Sequence, residues 1–245
     1  NIALLSIHNS VAHYIRVRDF EVTEFLLNKG IDYSIDINSD TSLAYMYLYT
    51  GVLKYYQSDL LSAEQNYQKA IDLYTIIPKS NKTRSVKANE ANAYNNIGNV
   101  YKAHGLFDQA LKNNYAAIKI RQEINDSSAI AASFLNIGNV YLRLNDLDKA
   151  KEYYLKSLAY FKVLDNQFGI ASTTHNLALI LEDLGEYESA FKQYSIALEN
   201  YKKLDRKKQI AKTLNNMANN LLILEKPDLA KLYLDSALTM YNEIK

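Results

Sequence analysis

The sequence predicts an all-α protein built from repeated helix pairs, and three observations carry that prediction. Gly98, Gly138, Ala178 and Ala218 recur every 40 residues. The same period carries Asn96, Asn136, Asn176 and Asn216 and then Ala110, Ala150, Ala190 and Ala230, so small residues and amides hold fixed slots while their surroundings vary. With 48% hydrophobic and 22% charged residues but only 7 Gly and 2 Pro, the chain suits helices and not a turn-rich β protein. A period of this length marks stacked supersecondary units that bury their core against their neighbours. The 245 residues then make about six units.

The first unit, 1–38, fits least well. Asp19-Phe20 matches Asp59-Leu60 one period later, which places Asn9 in the amide slot, Val11 in the glycine slot and Thr23 in the alanine slot. Terminal repeats are expected to be atypical. The second, 41–78, holds Gly51, Ala63, Tyr67 and Ala70. Gly98 follows Gly51 by 47 residues, so an insertion is expected near 78–85, at Pro78-Lys79-Ser80-Asn81-Lys82-Thr83. Units 88–125, 128–165, 168–205 and 208–245 follow in one solenoid domain.

Within 128–165, Ile137, Gly138, Tyr141 and Leu144 fall at helical spacing, and a second stripe runs through Leu147, Ala150, Tyr154, Leu155 and Leu158. Each unit is therefore a helix, a turn and a helix. Gly105, Asn145-Asp146, Gly185 and Lys226-Pro227 mark the turns, because Gly and Asn suit a left-handed helix end and Pro suits the first turn of the next helix. Gly98 and its equivalents are expected to face Ala110 and its equivalents, letting the two backbones approach. Tyr101, Tyr141, Leu181 and Leu221 would lie beside that contact, and Ala117, Ser157, Ala197 and Ala237 would receive the next unit. The last helix, through Leu232, Leu238, Met240, Tyr241 and Ile244, has no polar helix after it, so self-association or a continuing chain is expected there.

Asn96-Ile97-Gly98-Asn99-Val100-Tyr101 and Asn136-Ile137-Gly138-Asn139-Val140-Tyr141 resemble the signature of the tetratricopeptide repeat. The 40-residue period looks like the extended form found in kinesin light chains and bacterial peptide-sensing regulators. The early Trp slot is held instead by Tyr94, Phe134, Thr174 and Leu214. The resemblance implies a right-handed superhelix of six helix pairs whose first helices line a concave groove for a peptide or protein. It also implies that Asn96, Asn136, Asn176 and Asn216 contact the ligand backbone, since one amide both donates and accepts.

Asn99, Asn139 and Asn219 lie three residues further along that face, and Asn92, Asn95 and Asn215 thicken it. The other reading of these amides is that they bond the adjoining helix and fix repeat geometry. Specificity is expected from Tyr45, Leu48, Tyr49, Val52, Tyr55 and Tyr56, joined by Arg143, His175, Glu182 and Asp183; the competing reading of the tyrosines is core packing. A Lys/Arg clamp for a terminal carboxylate is not seen around Asn136 and Asn176, where Leu135, Ala132, Ser172 and His175 stand.

Lys plus Arg is 28 against Asp plus Glu 27, so no net field draws the chain to nucleic acid or anionic lipid. Cysteine is absent and the four histidines lack the i, i+4 pairing of a helical zinc site, so no metal or cofactor is expected. His175 and Glu182 lie two turns apart on one face, but no nucleophile accompanies them, and no enzyme is expected. The run from Lys202 to Lys208 fits a solvated loop. No stretch reaches the roughly 20 apolar residues of a membrane helix, so this segment is not expected to insert.

Starting at Asn1, the chain is expected to be a piece of a longer protein, periplasmic or cytoplasmic. By analogy it is expected to be the sensory or scaffolding domain of a bacterial signalling protein of the histidine-kinase or transcription-regulator type, with a membrane segment beyond Lys245. A cytosolic adaptor or peptide-pheromone receptor, or a structural oligomerisation module, are the alternatives.

Overall fold

The computed structural model describes residues 2–243, with side chains from residue 5 onward. Among the described residues the chain is helical throughout: α1 (Ile2–Val17), α2 (Phe20–Asp36), α3 (Asp40–Tyr56), α4 (Leu60–Ile76), α5 (Arg84–Ala103), α6 (Phe107–Glu123), α7 (Ser127–Arg143), α8 (Leu147–Val163), α9 (Gln167–Asp183), α10 (Tyr187–Lys203), α11 (Lys207–Ile223) and α12 (Pro227–Asn242). Asn1, Ile244 and Lys245 lie outside them.

The chain divides into two compact units, residues 1–126 and 127–245. In the first, α1–α2, α3–α4 and α5–α6 form antiparallel pairs, with α2 on α3 and α4 on α5 joining successive pairs. In the second, α7–α8, α9–α10 and α11–α12 pair, joined by α8 on α9 and α10 on α11. Several helix starts are set by side-chain oxygens: those of Asp19, Asp59, Thr83, Asp146 and Asn166 each accept the backbone N–H three residues on.

Helix ends recur as faithfully. A left-handed residue closes the first helix of every pair, at Arg18, Ser58, Gly105, Asn145, Gly185 and Glu225. The last lies one residue before the expected Lys226-Pro227, while Pro227 opens α12 as its position implies. A non-glycine side chain in this region costs about 1–2 kcal/mol, less for Asn and Asp, which explains Gly105, Gly185 and Asn145. Glu225 has no such excuse. Glu225→Gly is therefore expected to stabilise the protein by about 1 kcal/mol and to raise its melting temperature by about 2–4 °C in calorimetry; an unchanged or lower midpoint contradicts this.

The insertion is divided between loop and helix. Ile77 leaves α4 in an extended conformation, a 3₁₀ turn spans Lys79–Asn81, and α5 is 20 residues long where its neighbours have 17. Lys82 folds back so that its Nζ lies 2.9 and 2.8 Å from the two carboxylate oxygens of Glu90, both side chains almost out of solvent.

The packing partner of the glycine slot differs from the expectation. A Cβ on Gly138 would stand 2.5 Å from the Tyr154 ring, and one on Gly51 would stand 2.6 Å from the Tyr67 ring. At Gly51 and Gly138 the close approach is thus helix to aromatic ring, sixteen residues along; at Gly98 that position is Asn114, whose Nδ2 would lie 2.9 Å from a Cβ, with the Ala110 backbone oxygen at 3.3 Å. The flat rings of Tyr67 and Tyr154 lie over bare Gly51 and Gly138, and both are buried, as is Tyr194 in the equivalent position of its pair, where the slot holds Ala178. Leu144 and Leu155, expected in the core stripes, are exposed at 43% and 49%. On α12, where self-association was expected, Leu232, Leu238 and Tyr241 face outward.

Candidate functional site

Helices α3 and α5, the first helices of successive pairs in the first unit, enclose a cleft of about 360 Å³. Helical periodicity sets its walls. On α3, Leu48, Tyr49, Val52, Tyr55 and Tyr56 make the aromatic side, and Tyr67 of α4 closes the floor. On α5, Asn92, Asn96 and Asn99 make the polar side at four- and three-residue intervals. Tyr55 and Tyr56 stay 38% and 46% exposed, which leaves their faces open to a ligand. Arg18 lies over the Tyr56 ring at 5.3 Å and Phe20 stacks alongside, so the ring is braced from behind. Tyr45, expected in this patch, is not part of the cleft; it stacks at 3.8 Å on His8 and at 4.4 Å on Tyr49, and its hydroxyl donates to the His8 carbonyl.

In the second unit the amide column is wired into the protein. Asn176 donates to Asn139 at 2.9 Å, and the Tyr154 hydroxyl donates to the same Asn139 oxygen at 2.7 Å. Asn139 of α7 thereby links the floor of its own pair to α9. Asn216 of α11 lies 3.4 Å from Nε2 of His175, whose Nδ1 sits 3.1 Å from the Thr213 hydroxyl. Because Thr213 donates its own hydrogen to the Gln209 carbonyl, it accepts from Nδ1–H, and Nε2 accepts from Asn216. His175 is thus buried as a neutral ring, its pKa pushed down to about 4 by burial and secondarily by the Lys212 charge. It forms the base of a recess of about 260 Å³ with Ser172, Asn176, Tyr201, Lys208, Lys212 and other residues of α9 and α11.

Glu182, two turns from His175 on the same face, accepts from the Tyr194 hydroxyl at 2.5 Å and from Asn220 at 3.3 Å. Burial raises the Glu182 pKa, and Tyr194 and Asn220 oppose that rise. Of the other expected residues, Asn136 is half-buried on α7, and Arg143 and Asn219 are exposed on α7 and α11. None of the three lines the cleft or the recess.

Sequence reasoning missed Arg121 and Lys102. Arg121 of α6 is buried, and its Nη2 and Nη1 donate to Asn92 at 3.0 Å and Asn95 at 3.3 Å. Lys102 donates to Asn99 at 3.2 Å. A signal for the first existed: its column one and two periods away holds Phe161 and Tyr201, so a guanidinium breaks an aromatic series.

Helix pairs at constant spacing, with an amide-bearing first helix and an aromatic seated on a small residue, define an α-solenoid repeat protein. The family model of the tetratricopeptide repeat matches residues 89–162 and 169–243. The chain belongs to the tetratricopeptide repeat family. It is similar in structure to BtubC (BKLC) from P. vanneervenii, at 17% identity and a TM-score of 0.72, over 100% of this chain and 93% of that one. NprR in complex with its cognate peptide NprX gives 19% identity and a TM-score of 0.73, over 97% and 67%. The Rap conjugation gene regulator of the plasmid pLS20 in complex with the Phr* peptide gives 16% and 0.71, over 99% and 75%. At these identities the likeness is one of fold. Among curated proteins no sequence matches the chain.

Proposed function

We propose that this chain is a peptide- or protein-binding module rather than an enzyme, and that its ligand seat is the cleft between α3 and α5. The observation that carries this reading is the pairing of an exposed aromatic wall with an amide wall in one 360 Å³ space. Aromatic side chains supply apolar anchoring area, and amides bond to peptide groups largely without regard to sequence. The peptide complexes of NprR and of the pLS20 Rap regulator, which share the fold, support the same reading and its extension to a sensory or scaffolding role in bacterial signalling. Among the described residues no cluster of three or more His, Cys, Asp or Glu side chains suits a metal ion, and His175 is occupied within its own network.

Selection from a random labelled heptapeptide library tests the proposal. Selected peptides are expected to bind the Tyr56→Ala/Asn96→Ala variant at least tenfold more weakly, about 1.4 kcal/mol, with the helical circular dichroism signal unchanged. Unaltered affinity would place the ligand elsewhere and overturn the assignment.

A further inference from the structure

We infer, resting on the cleft between α3 and α5 being a peptide seat, that its ligand presents an acidic side chain to Asn92 and the neighbouring apolar side chain to the tyrosines opposite, while Asn99 donates further along the same segment. The orientation of two amides is the basis. A guanidinium and an ammonium only donate, so the amide edge they contact must be its oxygen. Arg121 therefore fixes Oδ1 of Asn92, and Lys102 fixes Oδ1 of Asn99. Reversing either amide would set N–H against N–H. The opposite, N–H edge of each remains for the cleft that both residues line.

Asn92 and Asn99 stand seven residues apart on α5, two helical turns or about 10 Å on one face. The polar wall is thus weighted toward donors over a length that matches about three residues of extended peptide. No Asp or Glu lines the cleft, so nothing in its walls repels a carboxylate. Behind the wall Arg121 keeps its charge at neutral pH: burial brings its pKa down to about 10, and the nearby Asp126 acts in the opposite sense.

A carboxylate accepting from amide N–H groups makes shorter and stronger bonds than a neutral acceptor does. Adjacent side chains of an extended segment point to opposite sides. An acidic residue turned toward α5 thus directs its neighbour toward Tyr49, Tyr55 and Tyr56 on α3.

The test uses two acetylated, amidated libraries of labelled heptapeptides. Both carry Phe, Leu or Tyr at the third position and differ only in Asp or Asn at the fourth. The Asp library is expected to bind the full chain about tenfold more tightly. Asn92→Asp, a surface change that still gives Arg121 an oxygen, is expected to abolish that preference. Equal binding of both libraries overturns the acidic assignment while leaving the peptide seat standing, as does a preference that survives in Asn92→Asp. An Asn library that binds only once its C-terminus is left free would assign the donors to a terminal carboxylate and overturn the side-chain assignment. Binding of neither library overturns the seat itself, and this inference with it.

Discussion

Replacing Tyr154 by alanine is expected to cost about 3–5 kcal/mol, the range for deleting a fully buried aromatic ring. The ring is completely out of solvent, covers the bare backbone of Gly138, and sends its hydroxyl to Asn139. Its removal empties the space between α7 and α8 and takes away one of the two donors that hold the Asn139 oxygen, the other being Asn176 of α9. Tyr154→Phe separates the two effects, because it keeps the packing and drops only the hydroxyl; about 1 kcal/mol is expected from it. Urea denaturation monitored by circular dichroism measures both. An alanine variant within 1 kcal/mol of the parent would mean that the glycine slot collapses freely onto its partner helix.

The second large effect is a loss of stability in acid that traces to His175. Its folded pKa, about 4, lies below the ordinary histidine value of 6.5, so the unfolded chain takes up the proton first. Stability contributed by the neutral ring is complete above about pH 6.5, falls as the pH drops through the window from 6.5 to 4, and changes no further below it. Across that window the loss is about 3 kcal/mol. Glu182 acts in the opposite sense: its raised pKa means the folded state binds that proton more tightly, so its protonation adds stability as the pH falls through the carboxylate range. Comparing the parent with His175→Gln removes this background, since Glu182 is common to both. The difference in unfolding free energy between pH 7.5 and pH 4.5 is expected to be smaller in the variant by a large part of those 3 kcal/mol. Parallel pH profiles would show that the ring titrates normally.

Much of the fold was legible in the sequence because the physics that fixes it is local. The small slots and the turn residues at Gly105, Asn145 and Gly185 are properties of single positions repeated at a period, and the seven-residue insertion shows as a break in it. The partner of the glycine slot was less legible, since sequence spacing gives which residues share a face but not which side chain reaches across to another helix. Tyr154 was visible as a stripe residue, and only the packed pair shows its ring lying on Gly138.

At the site, Tyr49, Tyr56, Asn96 and Asn99 were read from their slots, and the structure brings them into one cleft. The spacing put His175 and Glu182 two turns apart on one face, but it says nothing of Thr213, Asn216 and Asn220 on α11, which bond to them. Arg121 was missed because an isolated arginine on a helix is ordinarily a solvated one. Only its column, aromatic in Phe161 and Tyr201, marks it as buried.

The lengthened α5 and the Lys82–Glu90 pair before it have a consequence for how the molecule assembles itself. A strictly periodic chain has degenerate neighbours: any helix pair can dock one place out of order, or onto the corresponding pair of another molecule, and mispairing of this kind is a characteristic failure of repeat proteins during folding. Seven additional residues between Gly51 and Gly98 give that junction a length no other junction in the chain shares. The irregular joint therefore sets the docking of the second pair on the third apart in length from the other junctions, which removes part of that degeneracy.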